Sequence, residues 1–322
     1  MKTMNILVPL NDRSCVSEFS NAGADEFYIG FYDENWSRRF GEFADINRMS
    51  GFGKLANKYA LSELKNIVSD VKNRGKKLYI TLNANAYSRD ALTYMEETYY
   101  PVFKSMNIDG LIVSDTVSAS LAVKYGIPVT VSTMGGAYNR DVVKEYISIG
   151  AKRIIFPRDL SLTEIGSIMR TCPEVEYEVF HMRNGCVLSD SHCLGMHRPE
   201  CGATCGYLRY KDEQVITDLH SFADDHDIEL NDYLYNMLFH NEACTMCAVY
   251  RFAQLGISSL KIVGRADDTE GIIRDISLTA ENIRIAYESQ SEDEYLRNMR
   301  FHDNVPQKCR LAFSCYYPEV RF

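Results

Sequence analysis

Four cysteines, Cys186, Cys193, Cys201 and Cys205, fall within twenty residues of one another in a chain that has ten. The gaps between them are six, seven and three residues. Thiolates are soft ligands, suited to zinc and to iron–sulfur clusters. A disulfide framework is the other use of dense cysteines, but it belongs to oxidising compartments. The opening Met1–Leu10 has too short an apolar run for an export signal, so a reducing, cytoplasmic setting is expected. The spacing is looser than the paired knuckles of structural zinc and unlike the tight ferredoxin run. A long loop with Gly185, Gly195, Gly202 and Gly206 suits wrapping around a cube-shaped cluster. Chemistry alone therefore favours a [4Fe–4S] centre, with zinc as the alternative.

Something must hold that loop. Short β-rich runs recur at Asn5–Leu10, Glu26–Phe31, Lys77–Asn83, Gly110–Asp115, Pro128–Met134, Arg153–Pro157, Glu176–Met182 and Ser259–Gly264. Between them lie Leu61–Arg74, Asp90–Met106, Ser118–Tyr125, Arg140–Ile149 and Leu162–Thr171, with apolar residues at three- and four-residue spacing. Gly75, Gly126, Gly150 and Gly256 follow helical stretches, as helix C-termini prefer. Eight strands alternating with helices predict an α/β fold, a (β/α)8 TIM-type barrel. Its domain spans 1–290, with a cysteine-rich insertion, 183–247, after the seventh strand. Asp267–Gln290 is the expected closing helix, and 291–322, with Cys309 and Cys315, a tail, cap or subunit contact.

Active sites of such barrels lie at the C-terminal ends of the strands. The cysteine loop should therefore cover the barrel mouth. Glu178 and Phe180 share one face of the seventh strand, with His181 on the other. An inward Glu178 is a candidate for proton transfer, or a structural carboxylate holding an arginine. Arg158 and Arg265, at the ends of strands six and eight, are its expected partners, or a bidentate clamp for a carboxylate substrate. Asn83 and Asp115 should face the same mouth, though Asp115 also suits a helix N-cap. His192 and His197 flank Cys193. Tyr28 and Tyr79 fit core or rim positions.

Glu178-Val-Phe, Gly185-Cys186, Ser189, Cys193, Cys201 and Cys205 together resemble the signature of the collagenase-like peptidase family U32. Gly23-Ala-Asp-Glu-Phe-Tyr-Ile-Gly30 looks like its second-strand motif, and Phe156-Pro-Arg-Asp-Leu-Ser161 is similar to its Leu-Pro-Arg-Glu-Leu-Ser element. Ser259-Leu-Lys-Ile-Val-Gly-Arg265 matches its Lys-Ile-Glu-Gly-Arg motif except that Val263 replaces the acid. The likeness runs in order over about residues 4 to 285. Relatives resemble oxygen-independent hydroxylation factors of anaerobic ubiquinone biosynthesis and of RNA pyrimidines. The resemblance implies a [4Fe–4S] cluster on Cys186, Cys193 and Cys201, with Cys205 as fourth ligand and Cys244 as its rival. Cys247 stands where relatives often carry an acid. It also implies prephenate as a hydroxyl source. In size the chain is closer to the ubiquinone-type proteins, which work as a pair of unlike subunits, so the resemblance implies a related protein subunit as a partner.

A net charge of −9 disfavours a broad nucleic-acid surface, so RNA is a possible but disfavoured partner. The basic run Lys72–Lys77 fits a helix C-terminus before a strand. No stretch approaches the roughly 20 apolar residues of a membrane span. The chain carries no H-E-x-x-H and no G-x-S-x-G, and Gly51-Phe-Gly-Lys54 lacks the spacing of a phosphate loop. The expected function is a cluster-dependent oxidoreductase that hydroxylates an aromatic or nucleobase substrate. The alternatives are a peptidase, built on a Cys–His pair adjacent only in space, and a non-catalytic cluster-bearing subunit of a partner enzyme.

Overall fold

The computed structural model describes residues 4–41, 44–183, 185–186, 189–193, 197–198, 202–203, 243–301 and 315–320. Eight parallel strands form a closed barrel: β1 (Asn5–Pro9), β2 (Glu26–Ile29), β3 (Lys77–Leu82), β4 (Gly110–Val113), β5 (Val129–Val131), β6 (Arg153–Ile155), β7 (Glu176–Met182) and β8 (Ser259–Ile262). Each pairs with its sequence neighbours, and β8 returns to β1 through Asn5↔Ser259 and Leu7↔Lys261. The strands are buried on both faces, as parallel strands covered by helices must be, hence runs such as Leu111-Ile-Val113.

Ten helices accompany them among the described residues: α1 (Cys15–Ala22), α2 (Glu34–Phe40), α3 (Leu64–Asn73), α4 (Arg89–Met106), α5 (Thr116–Lys124), α6 (Arg140–Ile149), α7 (Leu162–Thr171), α8 (Val249–Leu255), α9 (Thr269–Glu288) and α10 (Glu292–Asn298). In α3 the buried residues are Leu64, Ile67, Val68 and Val71, one stripe at helical spacing. A reciprocal cap between Ser161 and Glu164 fixes the start of α7. The barrel is as expected from the alternation, but the strands are shorter. Pro128–Met134 contains β5 and then a 3-10 turn, Thr133–Gly135, because residues beyond the paired register peel away into the mouth. The tail also carries structure. Tyr295 of α10 is buried and donates to the Met246 carbonyl at 2.6 Å, and Glu319 accepts from the Leu162 amide at 2.9 Å.

The bottom of the barrel interior is charged. Arg153, at the start of β6 and 2% exposed, donates to Glu26 at 2.6 and 3.0 Å, to Glu176 at 2.8 Å and to Glu178 at 3.2 Å. Burial works to raise the Glu26 carboxyl, but Arg153 and Lys77 hold it below the ordinary glutamate range. Removing one partner of a buried pair strands the other charge. Arg153→Met should therefore cost about 3–5 kcal/mol, read as a lowered urea midpoint. A loss below about 1 kcal/mol would show that Lys77 and Lys261 alone compensate the glutamates.

Candidate active site at the barrel mouth

The cysteine insertion leaves the barrel through a narrow neck. After β7 the chain turns at Arg183, whose φ of 67° is a left-handed conformation that side chains disfavour. Arg183 is held there by Asp275 and by Asp267 at 3.2 Å, and its amide donates to the Ala243 carbonyl at 2.8 Å. The Thr245 amide donates to the His181 carbonyl at 2.9 Å, and Met182 and Cys244 form an antiparallel bridge. The two ends of the insertion are thus tied together, which sets Cys244 beside the end of β7. Cys315 pairs with Cys244 in turn, and the Tyr316 hydroxyl donates to the Arg183 carbonyl at 2.7 Å.

The first part of the insertion is pinned by one carboxylate. Asp190, 1% exposed, accepts from Arg48 Nη1 at 2.7 Å and from Arg158 Nε and Nη2 at 2.9 and 3.1 Å. Burial alone would raise its carboxyl, but the two guanidiniums hold it well below the usual carboxylate range. Asn85 donates to the Cys193 carbonyl and Tyr138 bonds Ser189, so the connections after β3 and β5 grip the same segment. Cys193 is buried, and Cys186 lies at the edge of the mouth.

Beneath this segment is a cavity of about 140 Å³. Aromatic walls come from Tyr28, Phe52 and Phe180, and polar groups from Thr81, Asn83 and Ser132. Its rim includes Arg48, Arg158, Lys261, Arg265 and Cys186. Arg265 is 4% exposed and meets only neutral groups among the described residues: Thr81 Oγ1 at 2.9 Å, Asn57 Oδ1 at 3.3 Å and Asn47 Oδ1 at 3.0 Å. Burial, with Tyr28 opposing and Arg48 adding repulsion, lowers its guanidinium to about 10. Gly30 makes room for this arrangement, since a Cβ there would overlap both Asn57 Oδ1 and Arg265 Nη1.

Two sequence expectations, the partners of Glu178 and the arginine clamp, are corrected in detail. Glu178 is fully buried, but its partners are Arg153 and, at 3.4 Å, Lys261, not Arg158 or Arg265. The reason is register: Glu178 pairs with Ile155, while Arg158 stands three residues further along, roughly 10 Å higher. Arg158 and Arg265 do reach the mouth, but they do not form a matched clamp. The Nε–Nη2 edge of Arg158 is occupied by Asp190, and its guanidinium lies 4.6 Å from the Phe180 ring centre. Asn83 lines the cavity, whereas Asp115 caps α5 through the Ser118 amide at 2.8 Å. Tyr28 is a wall of the cavity, and Tyr79 lies lower, its ring centre 5.2 Å from the Arg153 guanidinium. Cys201 and Cys205 lie outside the described residues, as do the side chains of His192 and His197.

A family model described as peptidase family U32 matches residues 11–319. The chain belongs to peptidase family U32. An uncharacterised protease of Methanocaldococcus jannaschii is 26% identical to it over 318 residues, 96% of this chain and 71% of that one. The tRNA hydroxylation protein P of Haemophilus influenzae is 28% identical over 172 residues, 50% of this chain and 37% of its own length. A collagenase of Porphyromonas gingivalis is 22% identical over 277 residues, 82% and 62% of the two chains. This U32 chain therefore matches well under half of the tRNA hydroxylation protein. The solved structure of a U32 peptidase shares the fold, with a TM-score of 0.51 at 14% identity over 82% of this chain and 94% of that one.

Arg48, Asp190 and Lys261 were not singled out from the U32 sequence. Asp190 had one available signal, an acid between two of the clustered cysteines. Asp190→Ala leaves two buried guanidiniums facing each other, and should raise the alkylation rate of Cys193 in metal-free protein at least about tenfold. An unchanged rate would show the segment is held by its other contacts. A second expectation concerns acid stability. Burial pushes the His181 imidazole from 6.5 down to about 3, against a pull from Asp275, and its Nδ1 lies 2.5 Å from Thr245 Oγ1. The unfolded chain binds this proton first, so stability is full above pH 6.5 and falls as pH drops toward 3. His181→Gln should flatten that slope by about one proton in urea titrations across the window, roughly 1.4 kcal/mol per pH unit.

Proposed function

We propose that this protein carries a [4Fe–4S] cluster over its barrel mouth and performs oxygen-independent hydroxylation, or a related redox modification, of an aromatic or nucleobase substrate. The observation behind this reading is that Cys186 borders the same cavity as two buried cations, Arg265 and Lys261. A guanidinium taken from water and given only neutral partners is costly until an anion arrives. Arg265 is such a group, so the ligand is an anion, with a carboxylate of the prephenate kind as a good fit. Tyr28, Phe52 and Phe180 exclude water and suit a ring, and about 140 Å³ admits one, since an apolar cavity of about 150 Å³ takes benzene.

The thiols suit the cluster. Cys186 and Cys193 lie on one segment clamped to the mouth, within electrostatic reach of Arg158 and Arg48. With Cys201 they would hold it, and Cys205 would be the fourth ligand, with Cys244 at the neck in its place otherwise. When bound, the cluster would supply one-electron chemistry or an iron site beside the cavity. Arg265 orients the anion, the aromatic walls keep the site dry, and Asp190 keeps the loop seated.

The relatives named for tRNA hydroxylation support this reading. Those named protease and collagenase favour the peptidase. Against it, the described His181 faces away from the cavity, bonded to Thr245, and offers no base to Cys186. Anaerobically purified protein should be brown, with four irons and four sulfides per chain as the cluster formula requires. Stoichiometric zinc in colourless protein would overturn the cluster. Cys186→Ala and Cys205→Ala should each lose iron, and full retention in the second would move the fourth ligand to Cys244. Metabolites and RNA nucleosides of an anaerobic deletion strain should lack one hydroxylated species. Cleavage of gelatin by the purified chain would instead support the peptidase.

A further inference from the structure

Lys261 is the cavity's other buried cation. It is the third residue of β8 and 5% exposed. Its Nζ lies 3.4 Å from Glu178 Oε1, 4.3 Å from the Tyr28 ring centre and 5.9 Å from that of Phe180. Among the described residues, Glu178 is its one polar contact. No second polar contact to the ammonium is found among the described residues, and the group borders open space. Burial disfavours its charge. Glu178 opposes that effect, Arg265 and Arg153 reinforce it, and the net places its pKa below that of an ordinary lysine.

A desolvated lysine beside other cations, with a carboxylate in reach to take its proton, is the arrangement that activates an amine toward carbonyl carbon. We propose that Lys261 is a nucleophile that captures a carbonyl-bearing carboxylate of the α-keto acid class as an iminium, while Arg265 receives the carboxylate. This rests on reading the mouth cavity as the ligand site. Glu178 takes one proton from the ammonium, and the freed nitrogen lone pair forms a C–N bond as the carbonyl π bond opens. A second N–H proton passes to the resulting alkoxide to give a neutral carbinolamine. The carbinolamine hydroxyl leaves as water, with the proton returned from Glu178. In sum, one ammonium and one carbonyl become one iminium and one water, with no change of oxidation state and no net change of charge.

That charge conservation matters beside a carboxylate as buried as Glu178. Glu26, Glu176 and Glu178 are balanced by Arg153, Lys77 and Lys261. An iminium keeps a cation opposite Glu178, so capture does not strand a buried carboxylate. A neutral adduct would. The iminium also withdraws electrons from the adjoining carbon, which gives the cavity an electron sink formed from its own side chain.

The test uses the full chain, purified anaerobically, with phenylpyruvate as probe and sodium cyanoborohydride as trap. One reduced adduct should form, mapped by mass spectrometry to the peptide bearing Lys261. Lys261→Arg keeps the charge and should abolish the adduct. Arg265→Gln should require about tenfold more probe, as the loss of one charge-assisted contact implies. Phenyllactate, which has the carboxylate but no carbonyl, should compete. Adducts scattered over other lysines, and unchanged in Lys261→Arg, would overturn the proposal. If no adduct forms while calorimetry still shows Arg265-dependent binding of phenyllactate, the nucleophile is overturned and the cavity reading survives. If neither ligand binds, both fall.

Discussion

One guanidinium in the barrel interior sets the terms for the rest of the molecule. Arg153 rises from β6 and reaches glutamates on β2 and β7, and through Glu178 it is linked to Lys261 on β8. A barrel of this kind is ordinarily filled by branched aliphatic side chains. Here several strands are instead held in register by charge, around an arginine that is 2% exposed. An ionic core of this sort tolerates little misalignment, because a shifted strand leaves a charge unpaired rather than a methyl group poorly packed. The price of that arrangement is paid once, and it delivers a lysine to the floor of the mouth in a fixed position.

Above this layer the charges fall into two kinds. Arg48 and Arg158 share Asp190, so they serve to seat the cysteine loop. Arg265 is supported by the amides of Asn47 and Asn57 and by Thr81, which align it without cancelling its charge. The distinction is between cations neutralised by a carboxylate and a cation that meets neutral groups among the described residues. Residues that look equivalent at strand ends differ in this respect by what the neighbouring connections bring. The connection between β2 and α3 supplies both Arg48 and the two asparagines, so one excursion of the chain serves both kinds of cation.

Much of this was legible in the sequence. The alternation of apolar runs with helical stripes gave the barrel, and glycines such as Gly150 marked helix ends because a left-handed turn suits them. The place of the cysteine loop, after the seventh strand, followed from counting. What the sequence hid was pairing. Glu178 could be seen to share a face with Phe180, but its burial needed the fold, and its choice of Arg153 over Arg158 depends on the stagger of adjacent strands. Asp190 looked like any loop acid, since its burial depends on two arginines that are distant in sequence and convergent in space. Gly30 was part of a motif, and only the fold reveals that its missing side chain is occupied by the Arg265 guanidinium.

The strand-like pairing of Cys315 with Cys244, and the docking of Tyr316 beside Phe180 and Arg158, have a temporal meaning. Chains emerge from the ribosome N-terminus first, and domains begin to organise as they appear. All eight strands are synthesised by Ile262, more than fifty residues before Tyr316. During that interval Phe180 and Arg158 lack the Tyr316 ring that packs beside them once the tail is made. The order of the chain therefore makes the covering of these two residues by Tyr316 a late event, after all eight strands have been synthesised.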